Sequence, residues 1–233
     1  ELARIIAFAR AEVPLFRNSE RWRASRIGHE VTRDDLAALP VLTKTDLREQ
    51  FEALQARRLP QGERFASETK SSGTTGTPVR VRFGQRATLA FGLLAQRLHR
   101  WARFDPMLTQ AVIRLPRDLR RNPDGTVIGD TEVQRTSGWM YIRDYYHTGP
   151  QVAIARSNSL EFQLDWLRRE QPGYLMTFPG TLESLVFAAQ GKPADSLRGL
   201  RTISATLTEA MRARIESATG LTVQQPYGLN EIG

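Results

Sequence analysis

The stretch Ser71-Ser72-Gly73-Thr74-Thr75-Gly76-Thr77-Pro78 gathers hydroxyl side chains around two glycines. Glycine lets a backbone adopt positive φ and come close to a ligand, while hydroxyls and successive N–H groups offer donors to phosphate oxygens. Pro78 sets the exit of the chain into the next segment. The stretch lacks the Gly-Lys-Ser/Thr ending of a P-loop and the GxGxxG spacing of a dinucleotide site. A Ser/Thr/Gly tract is also the composition of a flexible linker, so residue order must separate the two readings.

Composition limits the other chemistry. The chain has 233 residues and no cysteine, which removes thiolate metal sites, cysteine nucleophiles and disulfides. His29, His99 and His147 are too far apart to form a local metal motif, so a metal here is expected to be a hard cation held by oxygen. The net charge of +8 comes from arginines spread along the chain rather than from one basic tract. That argues against nucleic acid as a partner and suits the steering of small anions, phosphates and carboxylates alike. The densest run, Arg114 to Arg121, reads as a solvated face. At 40% hydrophobic and with no apolar run near the roughly 20 residues of a membrane helix, a cytoplasmic globular protein without a membrane partner is expected.

The elements that must position such a loop follow from periodicity. Leu2, Ile5, Ile6, Ala9 and Val13 form a helical stripe that ends at Pro14. Asp46 with Glu49 three residues later predicts a helix start ahead of Leu47, Phe51 and Leu54. Val79 to Phe83 alternates as a half-buried strand, and Gln85 to Phe104 predicts a helix burying Leu89, Leu93, Leu94, Leu98 and Trp101. Ala111 to Leu115 is a short apolar strand candidate. From Asn122 to Pro150 no period survives, and the aromatics Trp139, Tyr141, Tyr145 and Tyr146 are better suited to core packing than to lining a pocket.

The last third is regular: strands at Tyr174 to Phe178, Leu200 to Ser204 and Leu221 to Gln225, with helices at Thr181 to Gln190 and Thr208 to Thr219 closed by Gly191 and Gly220. Alternating strands and helices predict an α/β fold with a parallel sheet, whose ligands sit at the carboxyl ends of the strands. Those ends carry Phe178-Pro179-Gly180, Ser204-Ala205-Thr206 and Pro226-Tyr227-Gly228.

The order Ser72-Gly73-Thr74-Thr75-Gly76-x-Pro78 resembles the phosphate-binding signature of the adenylate-forming superfamily of acyl- and aryl-CoA ligases, luciferases and peptide-synthetase adenylation domains. Tyr227-Gly228-Leu229-Asn230-Glu231 resembles the Tyr-Gly-x-Thr-Glu motif of the same superfamily. Val13 to Arg17, Leu39 to Arg48 and Thr208 to Arg212 look like segments of its phenylacetate-CoA ligase branch, which includes relatives encoded with capsular polysaccharide genes. The resemblance covers most of the chain, with little contribution from Asn122 to Pro150.

The resemblance implies an N-terminal α/β domain, with 1–66 a helical segment packed on the core and 67–233 an AMP-binding region, truncated before a mobile C-terminal lid domain. It implies ATP phosphates on Ser71, Ser72, Gly73, Thr74, Thr75 and Gly76, with Thr74, Thr75 and Glu231 in catalysis. Tyr227 and Gly228 would flank adenine, Glu231 would hold Mg²⁺, and Phe178, Pro179 and Gly180 would line the acid pocket. Asn230 replaces the usual threonine at the α-phosphate, and Ser204-Ala205-Thr206 departs from the usual Gly-Gly-Glu or Gly-Ala-Glu of the adenine segment. The implied reaction joins a small carboxylic acid to AMP and then to coenzyme A, with phenylacetate-like aryl acids the default of the branch and a homodimer common in it. The ribose-binding aspartate, the hinge and the lysine-bearing lid are missing from this sequence, so a weakly active fragment is expected. A structural or assembly role in a polysaccharide or biosynthetic cluster stays open, as does transfer to a carrier protein or an amine.

Overall fold

The computed structural model describes residues 2–23, 32–70, 78–119, 129 and 131–228. The chain divides into two compact units, Glu1–Thr88 with Gly228–Gly233, and Leu89–Tyr227.

The first unit opens with short helices: α1 (Leu2–Glu12), α2 (Pro14–Asn18), α3 (Glu20–Arg23), α4 (Arg33–Ala37) and α5 (Lys44–Glu49). Pro14 starts α2 rather than simply ending α1, since its missing N–H costs nothing at a first helical position. Of the expected α1 stripe, Leu2 and Ile5 are exposed and only Val13, beyond the helix, is buried.

Helix α5 corrects the expected cap. Thr43, not Asp46, is the N-cap: its hydroxyl accepts from the Asp46 N–H at 3.1 Å, and the Asp46 carboxylate accepts from the Thr43 N–H at 2.8 Å. Aspartate serves at the third helical position as glutamate does in the usual capping box. The helix therefore ends before Phe51, which is buried in the turns that follow.

Strands β1 (Phe65–Lys70) and β2 (Arg80–Gly84) pair antiparallel, with Lys70 opposite Arg80 and Thr69 opposite Val81. The Glu68 carboxylate accepts from Arg80 Nε at 2.9 Å and Arg82 Nε at 3.2 Å, and the Arg80 guanidinium sits 3.9 Å over the Phe51 ring. In sequence, the Ser71–Thr77 segment joins these two strands. Helix α6 (Gln85–Trp101) begins in this unit and continues into the next.

The second unit is a six-stranded sheet in the order β4-β5-β3-β6-β7-β8, built from β3 (Gln110–Arg114), β4 (Gln134–Thr136), β5 (Gln151–Ala155), β6 (Tyr174–Thr177), β7 (Gly199–Thr202) and β8 (Val223–Gln224). Only edge strand β4 is antiparallel. Helices α7 (Leu160–Glu170), α8 (Pro179–Ala189) and α9 (Glu209–Thr219) supply Trp166, Leu167, Leu182, Leu185 and Ile215 to a core shared with Ile113, Ile154, Leu175 and Leu200. Each such side chain contributes roughly 1.5–3 kcal/mol on burial. Strand β5 and helix α7 had no expectation attached to them. Thr208 caps α9, and Gly220 closes it at φ 67, as its spacing predicts.

On the opposite face, Val112, Ala153, Ala155 and Met176 form a smaller cluster, and Ala95, Phe104, Trp139, Ile142 and Tyr174 another. The Phe104 and Tyr174 rings stack at 4.0 Å, with Trp139 edge-on to Tyr174 at 5.5 Å. Trp139 thus packs in the core as expected, whereas Tyr141, Tyr145 and Tyr146 are exposed.

Helix α6 overturns its expected buried stripe. Leu89, Leu93, Leu94 and Trp101 are exposed, Leu93 by 55% and Trp101 by 66%, while Gly92, Ala95 and His99 face inward. The period is helical but the phase is set by size. A Cβ at Gly92 would lie 2.8 Å from the Tyr141 carbonyl oxygen, so only a residue without one lets the helix approach this closely. Arg114 likewise departs from a solvated face, its side chain lying 14% exposed. Among the described residues no helix is long and apolar enough to cross a membrane.

Candidate functional site

Parallel strands end together, and the residues just past β6, β7 and β8 are the ones the sheet presents at its carboxyl edge. Phe178 caps α8 without a side-chain bond and is buried, with the Arg156 guanidinium 5.1 Å from its ring centre. Pro179 begins α8, where its fixed φ suits the first turn, and Gly180 is exposed, with nothing within 4 Å of where a Cβ would be.

Past β7, Ser204, Ala205 and Thr206 are all exposed. Ser204 has φ 62, in the left-handed region that glycine occupies without cost. A serine there costs about 1 kcal/mol. Past β8, the Gln225 side chain donates to the Ala205 carbonyl at 2.8 Å and so ties the two strand ends together. Tyr227 then projects with 86% of its surface exposed, and Gly228 has open space around its Cα. An open aromatic face can accept a flat heterocycle by stacking.

The structure thus brings Ser204–Thr206 close to the chain that leads into Tyr227. Ser71, Ser72, Gly73, Thr74, Thr75 and Gly76 lie outside the described residues, as do Asn230 and Glu231. Among the described residues no group of three or more His, Asp or Glu is placed to hold a metal ion.

Sequence reasoning missed two polar residues in the sheet unit. Arg201 lies in the middle of β7, between Met176 on β6 and Gln224 on β8, and is 8% exposed. His99 of α6 is 7% exposed and its Nε2 meets an Arg201 NH group. Burial, with the neighbouring guanidinium, pushes the His99 imidazole down to about 3, and burial pushes Arg201 down to about 10. The available signal was an arginine inside an otherwise strand-like Gly199-Leu200-Arg201-Thr202-Ile203 run, where a buried charge needs a reason.

No family model matches the chain, and no curated protein matches it. Solved structures do match. The chain aligns with 2-hydroxyisobutyryl-CoA ligase in the postadenylation state, in complex with R3-HIB-AMP, at a TM-score of 0.66 and 16% identity. That alignment covers 98% of this chain and 47% of the ligase. An open conformation of the ligase, in complex with 2-HIB-AMP and CoA, aligns at a TM-score of 0.64 and 17% identity, covering 98% of this chain and 52% of that one. The chain therefore spans about half the length of these ligases. Its mostly parallel six-stranded α/β architecture is the fold of the matched half of these ligases.

Proposed function

We propose that this chain takes part in the ATP-dependent activation of a carboxylic acid as an acyl adenylate, followed by thioester formation with coenzyme A. One observation carries the reading: the order Ser72-Gly73-Thr74-Thr75-Gly76-x-Pro78 runs directly into strand β2 of a chain with the adenylate-forming fold. Neither half is sufficient alone, because the fold hosts chemistry through its loops and a short motif needs its structural context.

In this reading residues 67–233 carry the AMP-binding region behind the helical residues 1–66. Donors from Ser71 to Gly76 bind the ATP phosphates, with Thr74 and Thr75 placed to offset the negative charge that develops as the acid carboxylate attacks the α-phosphorus and pyrophosphate departs. Glu231 holds Mg²⁺, a cation that is often bound through one or two carboxylates plus substrate phosphates. The exposed ring of Tyr227 stacks on or flanks adenine beside Ser204–Thr206, and Asn230 donates toward the α-phosphate through its amide. Phe178, Pro179 and Gly180 border the acid, for which a planar aryl acid of the phenylacetate kind is the first candidate. A cytoplasmic homodimer completes the proposal.

The test is pyrophosphate release with ATP and Mg²⁺ across a panel of aryl and aliphatic acids, alongside Glu231→Gln and Thr75→Val. Acid-dependent release that both substitutions reduce by about a hundredfold or more supports the reading, each removing a group worth roughly 3 kcal/mol in the transition state. No release with any acid, and no ATP binding by the folded protein, overturns it. That outcome favours a non-catalytic relative with a structural or assembly role, a reading to which Asn230 and the Ser204–Thr206 lettering lend some support. Release without thioester formation points instead to a carrier protein or an amine as acceptor.

A further inference from the structure

A cavity of about 50 Å³ opens on the sheet face that α6 covers, lined by Arg201 and His99 with Ala102, Phe104, Gln224 and Pro226. A volume of that size holds a few waters or the head of a carboxylate. Two of its lining groups are unsatisfied. Arg201 Nε and His99 Nδ1 are buried without a hydrogen-bond partner among the described residues. His99 Nε2 faces an Arg201 NH donor and must accept from it, which leaves the imidazole proton on Nδ1. Both unpartnered atoms are therefore donors; the amides of Gln224 and Gln225 line the same cavity, and neither they nor any other described group accepts from them.

Charge points the same way. No carboxylate pairs with Arg201 among the described residues, and its strand neighbours Met176 and Gln224 carry no charge. An isolated buried guanidinium is costly unless an anion compensates it. His99 and Phe104 give the cavity an aromatic wall: their rings stack at 5.9 Å, and His99 also meets Trp139, outside the lining, edge-on at 5.0 Å. Such a wall lowers the local dielectric and strengthens a charge-assisted pair. The planar guanidinium edge is matched to the two oxygens of a carboxylate.

We propose that Arg201, with His99 beside it, forms a binding site for the carboxylate group of a small organic acid. The site stands apart from the acyl-adenylate reading, because none of its lining residues is among those which that reading places at ATP or at the acid.

The experiment follows the Arg201 Nε–H resonance of the ¹⁵N-labelled protein during titration with sodium acetate, with sodium chloride and inorganic phosphate as parallel arms at equal ionic strength. A saturable shift with acetate alone, accompanied by an acetate-dependent rise in melting temperature, is expected. Arg201→Gln should weaken acetate binding by about tenfold or more, the size of a lost charge-assisted hydrogen bond. Ala102→Leu, which fills the cavity and keeps the cation, should retain the Arg201 resonance and lose its response. An absent or unsaturable response to acetate overturns the proposal, as does an equal response to chloride or phosphate, or an unchanged response in Ala102→Leu.

Discussion

The two sheets of this molecule are held by different forces. Strands β3, β5, β6 and β7 of the larger sheet are buried along nearly their whole length, whereas the β1–β2 pair shows no fully buried position. The first is sealed by helices on one face and aromatic clusters on the other. The second is tied by Glu68 to Arg80 and Arg82 and by Arg80 stacked on Phe51. The comparison teaches where rigidity is placed. The strand ends that carry Phe178, Ser204–Thr206 and Tyr227 rise from the heavily packed sheet, and the glycine-rich order that would bind phosphate joins two strands held by surface charge.

Substitutions should separate the two sheets. The largest effect is expected from Leu182→Ala, which opens a cavity in the core of the parallel sheet. A loss of about 3–5 kcal/mol in chemical denaturation is expected, and a loss below about 1 kcal/mol would mean that this core is loosely packed.

A smaller effect, taken between pH 6.5 and 4.5, comes from acid. Burial and Arg201 hold His99 at about 3 in the folded state, below its ordinary 6.5, so the unfolded chain takes up the proton first. Stability from the neutral imidazole is complete above about pH 6.5 and falls as pH drops through 6.5 toward 3, by roughly 1.4 kcal/mol per unit within that window. Glu68 lies below its ordinary 4.5 because it accepts from Arg80, so its contribution is present above 4.5 and fades only as pH falls beneath it. Between pH 6.5 and 4.5 the two regions are therefore distinguishable. Melts in that range should lose stability in the native chain and much less in His99→Gln.

The smallest effect is expected from Glu68→Gln. Its ion pairs face solvent, so the substitution should leave the global melting temperature nearly unchanged while raising amide exchange along β1 and β2. Added salt should mimic it. A large global destabilisation would show that the hairpin and the parallel sheet unfold as one.

Much of the second unit was legible because buried parallel strands are short apolar runs and helices announce their ends. Thr208 and Gly220 bracket α9 as local chemistry requires. Strand β5 and helix α7 escaped notice because Gln151–Ala155 follows a stretch without any period, and no strand signal precedes it. The α5 boundary was misplaced by one capping step, since Thr43 and Asp46 both suit a helix start and only their mutual hydrogen bonds assign the roles.

The sequence by itself determined the glycine-rich letter order from Ser72 to Pro78, the alternation of strands and helices, and hence the fold class, because those depend on neighbours within a few residues. The tertiary structure alone decided which side of α6 faces inward and that an arginine and a histidine 102 residues apart share a buried cavity. Both depend on how closely distant segments approach. At Gly92 that approach is set by the absent Cβ rather than by any hydrophobic pattern along the helix.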